Sequence, residues 1–227
     1  MGAIVDGTPL GSLFFDRDAQ RVAQALLGKV LFHRVEGCWL AAEIIETEAY
    51  YRSEKASHAS LGYSQKRKAL FMAPGTIYMY YARGGDSLNF SCRGAGNAVL
   101  IKAGYPWLGA PRAGEMVARM AALNPLPGGA RRPTEKLCAG QTLLCRALGL
   151  RVPEWDGRMI GGGQLRLLDV GLRPEAIIRT TRLGIPSGRD GHLLYRFIDR
   201  GRAPFCSKNP LTQRKAAAYR ILPPPKN

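Results

Sequence analysis

Two carboxylates, Glu46 and Glu48, stand at the end of an apolar run that alternates as a strand does. Because side chains alternate along a strand, we expect both carboxylates on the same side as Tyr50. A glutamate with its ordinary pKa of about 4.3 is ionised at neutral pH and can deprotonate a water molecule. A solvated strand edge, which needs no chemistry, is the alternative explanation. The pair is therefore a candidate for general-base catalysis.

Tyrosines follow on the next predicted strand. Tyr78 and Tyr80 fall on one face of it and Tyr81 on the other, and Asn89 comes shortly after the turn. Rings at this spacing usually belong to a core. In a strongly cationic protein they can instead stack on nucleic-acid bases, which contributes about 1–3 kcal/mol per base. The pattern leaves both explanations open.

The charge balance favours a polyanionic partner. Lysine and arginine number 33 against 17 aspartate and glutamate residues, which gives a formal net charge of +16. A surplus of this size suits a phosphate backbone. A basic enzyme without such a partner is the alternative. Charge alone thus suggests nucleic acid and does not indicate a reaction.

Cysteine and histidine are too scattered for a metal centre. The cysteines are odd in number, and the sequence has neither a Cys-x-x-Cys pair nor a histidine cluster. We expect reduced, buried thiols and neither a metal nor a cofactor. No segment has the composition of a signal peptide or the length of a membrane span, so we expect an intracellular protein without membrane contact. The residues concerned are Cys38, Cys92, Cys138, Cys145, Cys206, His33, His58 and His192.

The elements that position these residues are of both types. A first helix follows Asp18 and ends at Gly28, a long polar loop covers 51–68, and a basic helix begins at Asn209. Strands are predicted at 30–34, 39–50, 76–82, 88–92, 98–101, 165–169, 177–182 and 193–199, and helices at 19–27, 115–123 and 137–148. In the middle of the chain, the predicted strands outnumber the helices that could connect parallel strands. This predicts an α+β fold in a single domain, 1–227, around a curved, mainly antiparallel sheet with surrounding helices.

Several motifs together resemble the alkyladenine (3-methyladenine) DNA glycosylase family in order and spacing. The matching segments are Glu46-Thr47-Glu48-Ala49-Tyr50, His58, Phe71-Met72, 74–80, Asn89, 96–103, 143–149 and 182–185. The likeness extends over most of the chain, from about residue 13 to about residue 205. The resemblance assigns roles to particular residues.

A catalytic group around Glu48 is implied by this resemblance. Glu48 matches the general base that deprotonates the water attacking C1′ of the sugar, and Glu46 is a supporting carboxylate. Lys102 stands where the family commonly has an arginine near the water and a phosphate, so the charge is kept and the bidentate fork is lost. Ile185 matches the position whose main-chain carbonyl helps to hold the water.

A base-binding group is implied as well. Tyr50 and Tyr80 match the rings that sandwich the extruded base, with His58 at its edge. A purine alkylated at N3 or N7 is cationic and gains cation–π attraction between such rings. Asn89 matches the residue that lies where the 2-amino group of guanine would project, which rejects normal guanine.

The residue that fills the gap left by a flipped nucleotide departs from the family pattern. The family typically has an aromatic residue three positions after the ring matched by Tyr80, where this chain has Arg83 in a turn one residue shorter. An arginine can stack on bases as a planar cation. Tyr81 is the other candidate for DNA intercalation, and a solvated turn residue is the alternative explanation for Arg83.

The function implied is that of a monofunctional DNA glycosylase of base excision repair. Such an enzyme acts as a monomer on double-stranded DNA, flips out alkylated or deaminated purines and hydrolyses their N-glycosidic bond. The class includes 3-methyladenine, 7-methylguanine, hypoxanthine and ethenoadenine. No lyase step is expected, because Lys102 matches a charged arginine rather than an activated amine.

The sequence offers one alternative fold and one alternative function. Segment 126–130 looks like the hairpin of helix-hairpin-helix glycosylases, but no aspartate follows it before Asp156, so that fold is not expected. A non-catalytic nucleic-acid-binding module would also explain the charge and the rings. Such a module gains nothing from Glu48 beside a base pocket, because the carboxylate repels phosphate.

Overall fold

Strands from all parts of the chain join in one antiparallel sheet. The computed structural model describes residues 6–82, 84–213 and 218–224. Ten strands occur within these ranges: β1 (Thr8–Pro9), β2 (Val30–Val35), β3 (Cys38–Tyr50), β4 (Ile77–Ala82), β5 (Gly85–Ser91), β6 (Ala98–Pro106), β7 (Leu165–Asp169), β8 (Ile177–Thr180), β9 (Arg196–Asp199) and β10 (Tyr219–Leu222). The antiparallel sheet predicted from the sequence is confirmed.

Strand β3 is the centre of this sheet. Neighbouring strands run in the order β1-β7-β2-β3-β6-β5-β4, and β9, β8 and β10 form a branch that starts at β3. The first half of β3 pairs with β2, and the stretch from Glu46 to Glu48 pairs with β9 on one side and with β6 on the other. Both carboxylates therefore lie inside the sheet.

Helices pack on the sheet around one apolar core. The side chains of Val22, Met120 and Leu144 come from three helices and join Leu40 and Ile101 of the sheet in one buried cluster. The α-helices are α1 (Ser12–Phe15), α2 (Ala19–Ala25), α3 (Ala113–Leu123), α4 (Gln141–Leu148) and α5 (Val152–Trp155). This arrangement confirms the predicted α+β class. Among the described residues, no helix is long and apolar enough to cross a membrane.

The start of α2 and the turn after it follow from local sequence. The Asp18 side chain accepts hydrogen bonds from the backbone N–H groups of Gln20 and Arg21 at 3.0 and 3.3 Å, which caps the helix. Gly28 has a φ of 79°, in the left-handed region that favours glycine. A Cβ there would also lie only 2.7 Å from the carbonyl oxygen of Leu172. The predicted cap is confirmed, and glycine lets the chain turn into β2.

The polar segment 51–68 is more regular than predicted. It contains the 3-10 helix His58–Leu61 and the beginning of another, Gln65–Phe71. Polar contacts hold it in place, because Arg67 Nε donates to the Gly62 carbonyl at 3.0 Å and the Lys55 N–H donates to Asp190 at 2.8 Å. The segment is thus ordered by contacts that leave no periodic pattern in the sequence.

The C-terminal part differs most from the sequence prediction. The Asn209 side chain accepts a hydrogen bond from the Leu211 N–H at 2.9 Å, as a helix cap does, but the helix that follows is only the 3-10 turn Pro210–Thr212. Residues 214–217 of the predicted basic helix lie outside the described residues. The chain then forms β10, which pairs with β8, so the prediction is wrong there. Most of β10 is exposed, and pairing rather than its own pattern stabilises it.

The cysteines are buried with one exception. Cys92, Cys138, Cys145 and Cys206 are buried free thiols, as predicted. Cys38 is partly exposed, because it is the first residue of β3 and lies beside the hairpin turn. Burial raises the pKa of the Cys206 thiol to about 11, which keeps this thiol protonated at neutral pH.

A buried ion pair joins β3 to β9. Arg196 Nε lies 2.5 Å from Glu46 Oε1, and both side chains are buried. The N–H and the hydroxyl of Ser207 donate to the same carboxylate at 2.7 and 2.8 Å. Arg196 Nη2 donates to the Lys208 carbonyl at 2.5 Å. Glu46 therefore secures the segment after β9 to the central strand.

We expect Arg196→Met to lower the free energy of unfolding by about 3–5 kcal/mol, because it leaves the buried Glu46 carboxylate without its counter-ion. Arg93→Met is the matched control, since Arg93 pairs with Asp16 at 3.0 Å on the surface. Such an exposed pair contributes less than about 1 kcal/mol. Urea unfolding followed by circular dichroism measures both variants. Equal losses in the two would contradict the structural role of the buried pair.

Candidate active site

A pocket of about 350 Å³ opens where β4, β5 and β6 meet segment 51–68 and the segment after β8. This volume is at the lower end of the range for small-molecule sites, which is about 300–1,000 Å³. The pocket is therefore large enough for a single base. Its lining includes Tyr78 and six residues to which the resemblance assigns a role: Tyr50, His58, Tyr80, Asn89, Lys102 and Ile185.

Glu48 lies behind the pocket wall and is 0% exposed, so the solvated-edge explanation is wrong. Its Oε2 accepts a hydrogen bond from the Tyr50 hydroxyl at 2.8 Å, and its Oε1 accepts one from the Leu183 N–H at 3.0 Å. The Lys102 ammonium lies 3.5 Å from Oε1. A carboxylate has about four lone-pair positions. Acceptor capacity therefore remains for a water molecule.

Lys102 comes from an irregular point in β6. The pairing with β3 passes directly from Ala103 to Ile101, so Lys102 is skipped by the register. A bulge of this kind can re-aim a side chain. Lys102 Nζ donates to Gln141 Oε1 at 2.9 Å and also approaches Glu48. The irregularity thus brings a cation to both the carboxylate and the pocket.

Tyr50 connects the pocket to Glu48. Its ring lines the pocket while its hydroxyl donates to the carboxylate. Burial, and then the negative charge of Glu48, raise the pKa of this hydroxyl well above its ordinary value, so it stays a donor. The guanidinium carbon of Arg182 lies 4.5 Å from the ring centroid, and Arg182 also forms a buried ion pair with Glu54. A hydrogen bond and a cation–π contact therefore fix the ring.

His58 and Tyr80 form another aromatic part of the wall. Their ring centroids are 4.6 Å apart, and the angle between the ring planes is 63°. His58 Nδ1 lies 2.9 Å from the Tyr78 hydroxyl. Burial, and then the positive charges of Arg67 and Arg189, lower the pKa of His58. The imidazole is therefore neutral at neutral pH.

Asn89 and Ile185 occupy other parts of the wall. Asn89 Nδ2 donates to the Tyr78 carbonyl at 3.1 Å, which fixes the orientation of the carboxamide. Ile185 lines the pocket two residues beyond Leu183, whose N–H binds Glu48. The structure thus brings the predicted base-binding residues to one cavity with Lys102 and Ile185, and Glu48 lies behind its wall, bonded to Tyr50.

Of the two candidates for DNA intercalation, the structure describes only Tyr81, which belongs to β4. Tyr81 is 69% exposed and, unlike Tyr80 and Ala82, does not line the pocket, which is the opposite-face placement predicted from alternation. Arg83 lies outside the described residues. Ala82 pairs with Gly85, so β5 begins earlier than predicted and only two residues connect the strands.

Three contacts at the site were not predicted. Leu183 uses its backbone N–H, and such a role leaves no side-chain signal. Gln141 reaches Lys102 from the first turn of α4, far away in sequence. Arg182 supports Tyr50, and the signals that could have revealed it are its charge at the end of predicted strand 177–182 and its place in the matched segment 182–185. Across the described ranges, no three His, Cys, Asp or Glu side chains group as ligands for a metal ion.

The sequence is similar to those of known DNA glycosylases. It matches the methylpurine-DNA glycosylase family over residues 13–203. A relative from Pseudomonas savastanoi pv. phaseolicola is 63% identical over 198 residues, which are 87% of this chain and 89% of the relative. One from Pseudomonas aeruginosa is 59% identical over 219 residues, 96% of this chain and 92% of the relative. One from Methanoculleus marisnigri is 33% identical over 188 residues, 80% of this chain and 91% of the relative.

Each of these relatives carries the name "Putative 3-methyladenine DNA glycosylase". The family suggested by the sequence motifs is confirmed, and an enzyme rather than a non-catalytic binding module follows from it. Its partner is DNA, and its activity is in DNA repair. The chain belongs to the methylpurine-DNA glycosylase family and is a DNA N-glycosylase.

Proposed function

We propose that this enzyme flips alkylated or deaminated purines out of duplex DNA and hydrolyses their N-glycosidic bond with a water molecule activated by Glu48. Its substrates are 3-methyladenine, 7-methylguanine, hypoxanthine and ethenoadenine. The observation that carries the proposal is a completely buried carboxylate, bonded to Tyr50 and Leu183, beside an aromatic pocket that can hold one base. The negative charge of Glu48 repels phosphate, so it would not favour a protein that only binds DNA.

The chemistry divides among three residues. Glu48 accepts a proton from water while the water oxygen bonds to C1′ and the bond from C1′ to the base breaks, its electron pair leaving with the base. Lys102 balances the charge of Glu48 and keeps a further N–H donor for the water or a phosphate. The main-chain carbonyl of Ile185 accepts a hydrogen bond from the other O–H group of the water. A cationic alkylated purine leaves as a neutral base, whereas hypoxanthine leaves as an anion that takes a proton from solvent, and Glu48 releases its proton to solvent. The free base and an abasic site are the products.

Selectivity for damaged purines comes from stacking and from the pocket wall. Tyr50 and Tyr80 enclose the flipped base, with His58 at its edge, and attract a cationic alkylated purine more than a neutral one. Asn89 stands where the 2-amino group of guanine would project, at a penalty of about 1–3 kcal/mol for normal guanine. Normal adenine lacks a cationic leaving group and costs more to unpair than a damaged base.

The reaction ends at the abasic site, and the enzyme acts as a monomer in base excision repair. A lyase step needs a nucleophilic amine in the pocket. The amine available there, Lys102, is engaged as a cation by Gln141 and Glu48. We therefore assign the enzyme a monofunctional, hydrolytic mechanism.

Glu48→Gln should lower the single-turnover rate of base release at least about 100-fold, because a carboxamide does not accept the proton from water. The assay uses a duplex containing hypoxanthine, treated with alkali to cleave abasic sites. Without alkali, wild-type protein should leave the strand intact, since no lyase step occurs. Glu175→Gln, at an exposed position, is the matched control. Undiminished product with Glu48→Gln would refute the role of Glu48.

The lowered pKa of His58 predicts a pH effect that depends on the lesion. The imidazole gains its proton only as the pH falls below the ordinary value of about 6.5. A protonated His58 repels a cationic base, whereas the binding of a neutral base is little affected. Between about pH 7 and about pH 5, the ratio of 7-methylguanine to hypoxanthine excision should fall in wild type and stay constant in His58→Gln. A ratio that falls alike in both proteins would contradict this.

We assign the filling of the gap beside the flipped base to Arg83, as a planar cation. 2-Aminopurine placed next to the lesion reports flipping by its fluorescence. Arg83→Ala should lower the flipped fraction about tenfold, because a stacking contact contributes about 1–3 kcal/mol. Tyr81→Ala, in β4, serves as the matched control and should change little. The reverse ranking would transfer the role to Tyr81.

A further inference from the structure

Gln141 joins the catalytic and base-binding sides of the pocket. Its Oε1 accepts a hydrogen bond from Lys102 Nζ at 2.9 Å, and its Nε2 donates to Ser87 Oγ at 2.8 Å. Nε2 also lies 3.5 Å from the Tyr80 hydroxyl. The Lys102 ammonium is in turn 3.5 Å from Glu48. A chain of polar contacts thus runs from the carboxylate through Lys102 and Gln141 to Tyr80.

The chemistry of its partners fixes the orientation of the Gln141 carboxamide. An ammonium group has three donors and no acceptor, so only the amide oxygen can face Lys102. The amide NH₂ must then face the hydroxyl groups of Ser87 and Tyr80. A rotation by half a turn would place donors against the ammonium. Gln141 therefore holds Lys102 in one defined way.

Lys102 needs such an anchor because of its own geometry. A lysine ammonium sits on a flexible four-carbon stem and acts as a point charge, whereas an arginine presents a rigid planar fork. The separation of 3.5 Å from Glu48 is longer than a charge-assisted hydrogen bond, which is about 2.7–2.9 Å. The bond of 2.9 Å to Gln141 is the shorter of the two contacts. The carboxylate alone thus does not fix the ammonium.

We propose that Gln141 is a positioning residue that holds the Lys102 ammonium against Glu48 and toward the substrate. The inference rests on the proposed role of Glu48 and adds to it a residue from the first turn of α4. Gln141 itself lines the pocket, and its proposed effect on the reaction is exerted through Lys102.

A double-mutant cycle between Gln141 and Lys102 tests this. Gln141→Met removes both polar ends of the side chain at similar length, and Lys102→Met removes the ammonium. The single-turnover rate of hypoxanthine release should fall roughly tenfold in Gln141→Met, as for a lost hydrogen bond to a charged group. DNA affinity should stay within about twofold. In the Lys102→Met background, Gln141→Met should cause no further loss; equal losses in both backgrounds would overturn the inference.

Gln141→Glu separates the two ends of the amide. It keeps an oxygen for Lys102 and loses the NH₂ donor to Ser87 and Tyr80, so it should stay faster than Gln141→Met. A rate as low as that of the methionine variant would assign the effect to the hydroxyl groups and overturn the role through Lys102. All rates are measured at a temperature well below the unfolding midpoint of the least stable variant. Each rate then reports folded protein.

The outcomes for the two proposals are distinguishable. If Glu48→Gln is inactive and Gln141→Met is as fast as wild type, the positioning role fails and the proposed function stands. If Glu48→Gln keeps wild-type activity, or wild type releases no base, the proposed function fails and the positioning role fails with it.

Discussion

Two carboxylates buried two residues apart in the central strand constrain the rest of this structure. An ionised group removed from water is strongly destabilising unless cations and donors replace the solvent. β9 brings Arg196 to Glu46, and β6 brings Lys102 to Glu48. Both contacts depend on the branch at β3, where β6 and β9 flank the same stretch of strand. The unusual topology of the sheet is thus also the means by which its buried charges are compensated.

Burial does not distinguish Glu46 from Glu48, the residue that we propose as the general base, because both are 0% exposed. Their partners do. Glu46 has the Arg196 guanidinium at 2.5 Å and accepts two hydrogen bonds from Ser207. These buried contacts enclose its carboxylate. Glu48 has two neutral donors and a cation at 3.5 Å, and its neighbours line the pocket. A carboxylate held in this looser way retains acceptor capacity for water, and that difference supports the role we propose for Glu48.

Sequence reasoning succeeded where the determinants are local. Alternation placed Tyr80 and Tyr81 on opposite faces, and Asp18 was predicted as a cap. It failed where tertiary contacts decide. The bulge that turns Lys102 toward Glu48 is a mismatch between two strands, so neither strand shows it alone. Strand β10 is likewise set by pairing with β8, because its own residues are mostly exposed.

A net charge of +16 opposes the binding of a cationic base that we propose, and contacts around the pocket reduce this electrostatic conflict. Arg182, next to Tyr50, is neutralised by Glu54, and Lys102 stands beside Glu48. His58 is uncharged at neutral pH because burial lowers its pKa. The aromatic faces add negative potential of their own. Of the two cations among the described residues that line the pocket, Lys102 is therefore compensated, whereas Arg189 is exposed and stays available, like the other surface cations, for a phosphate backbone.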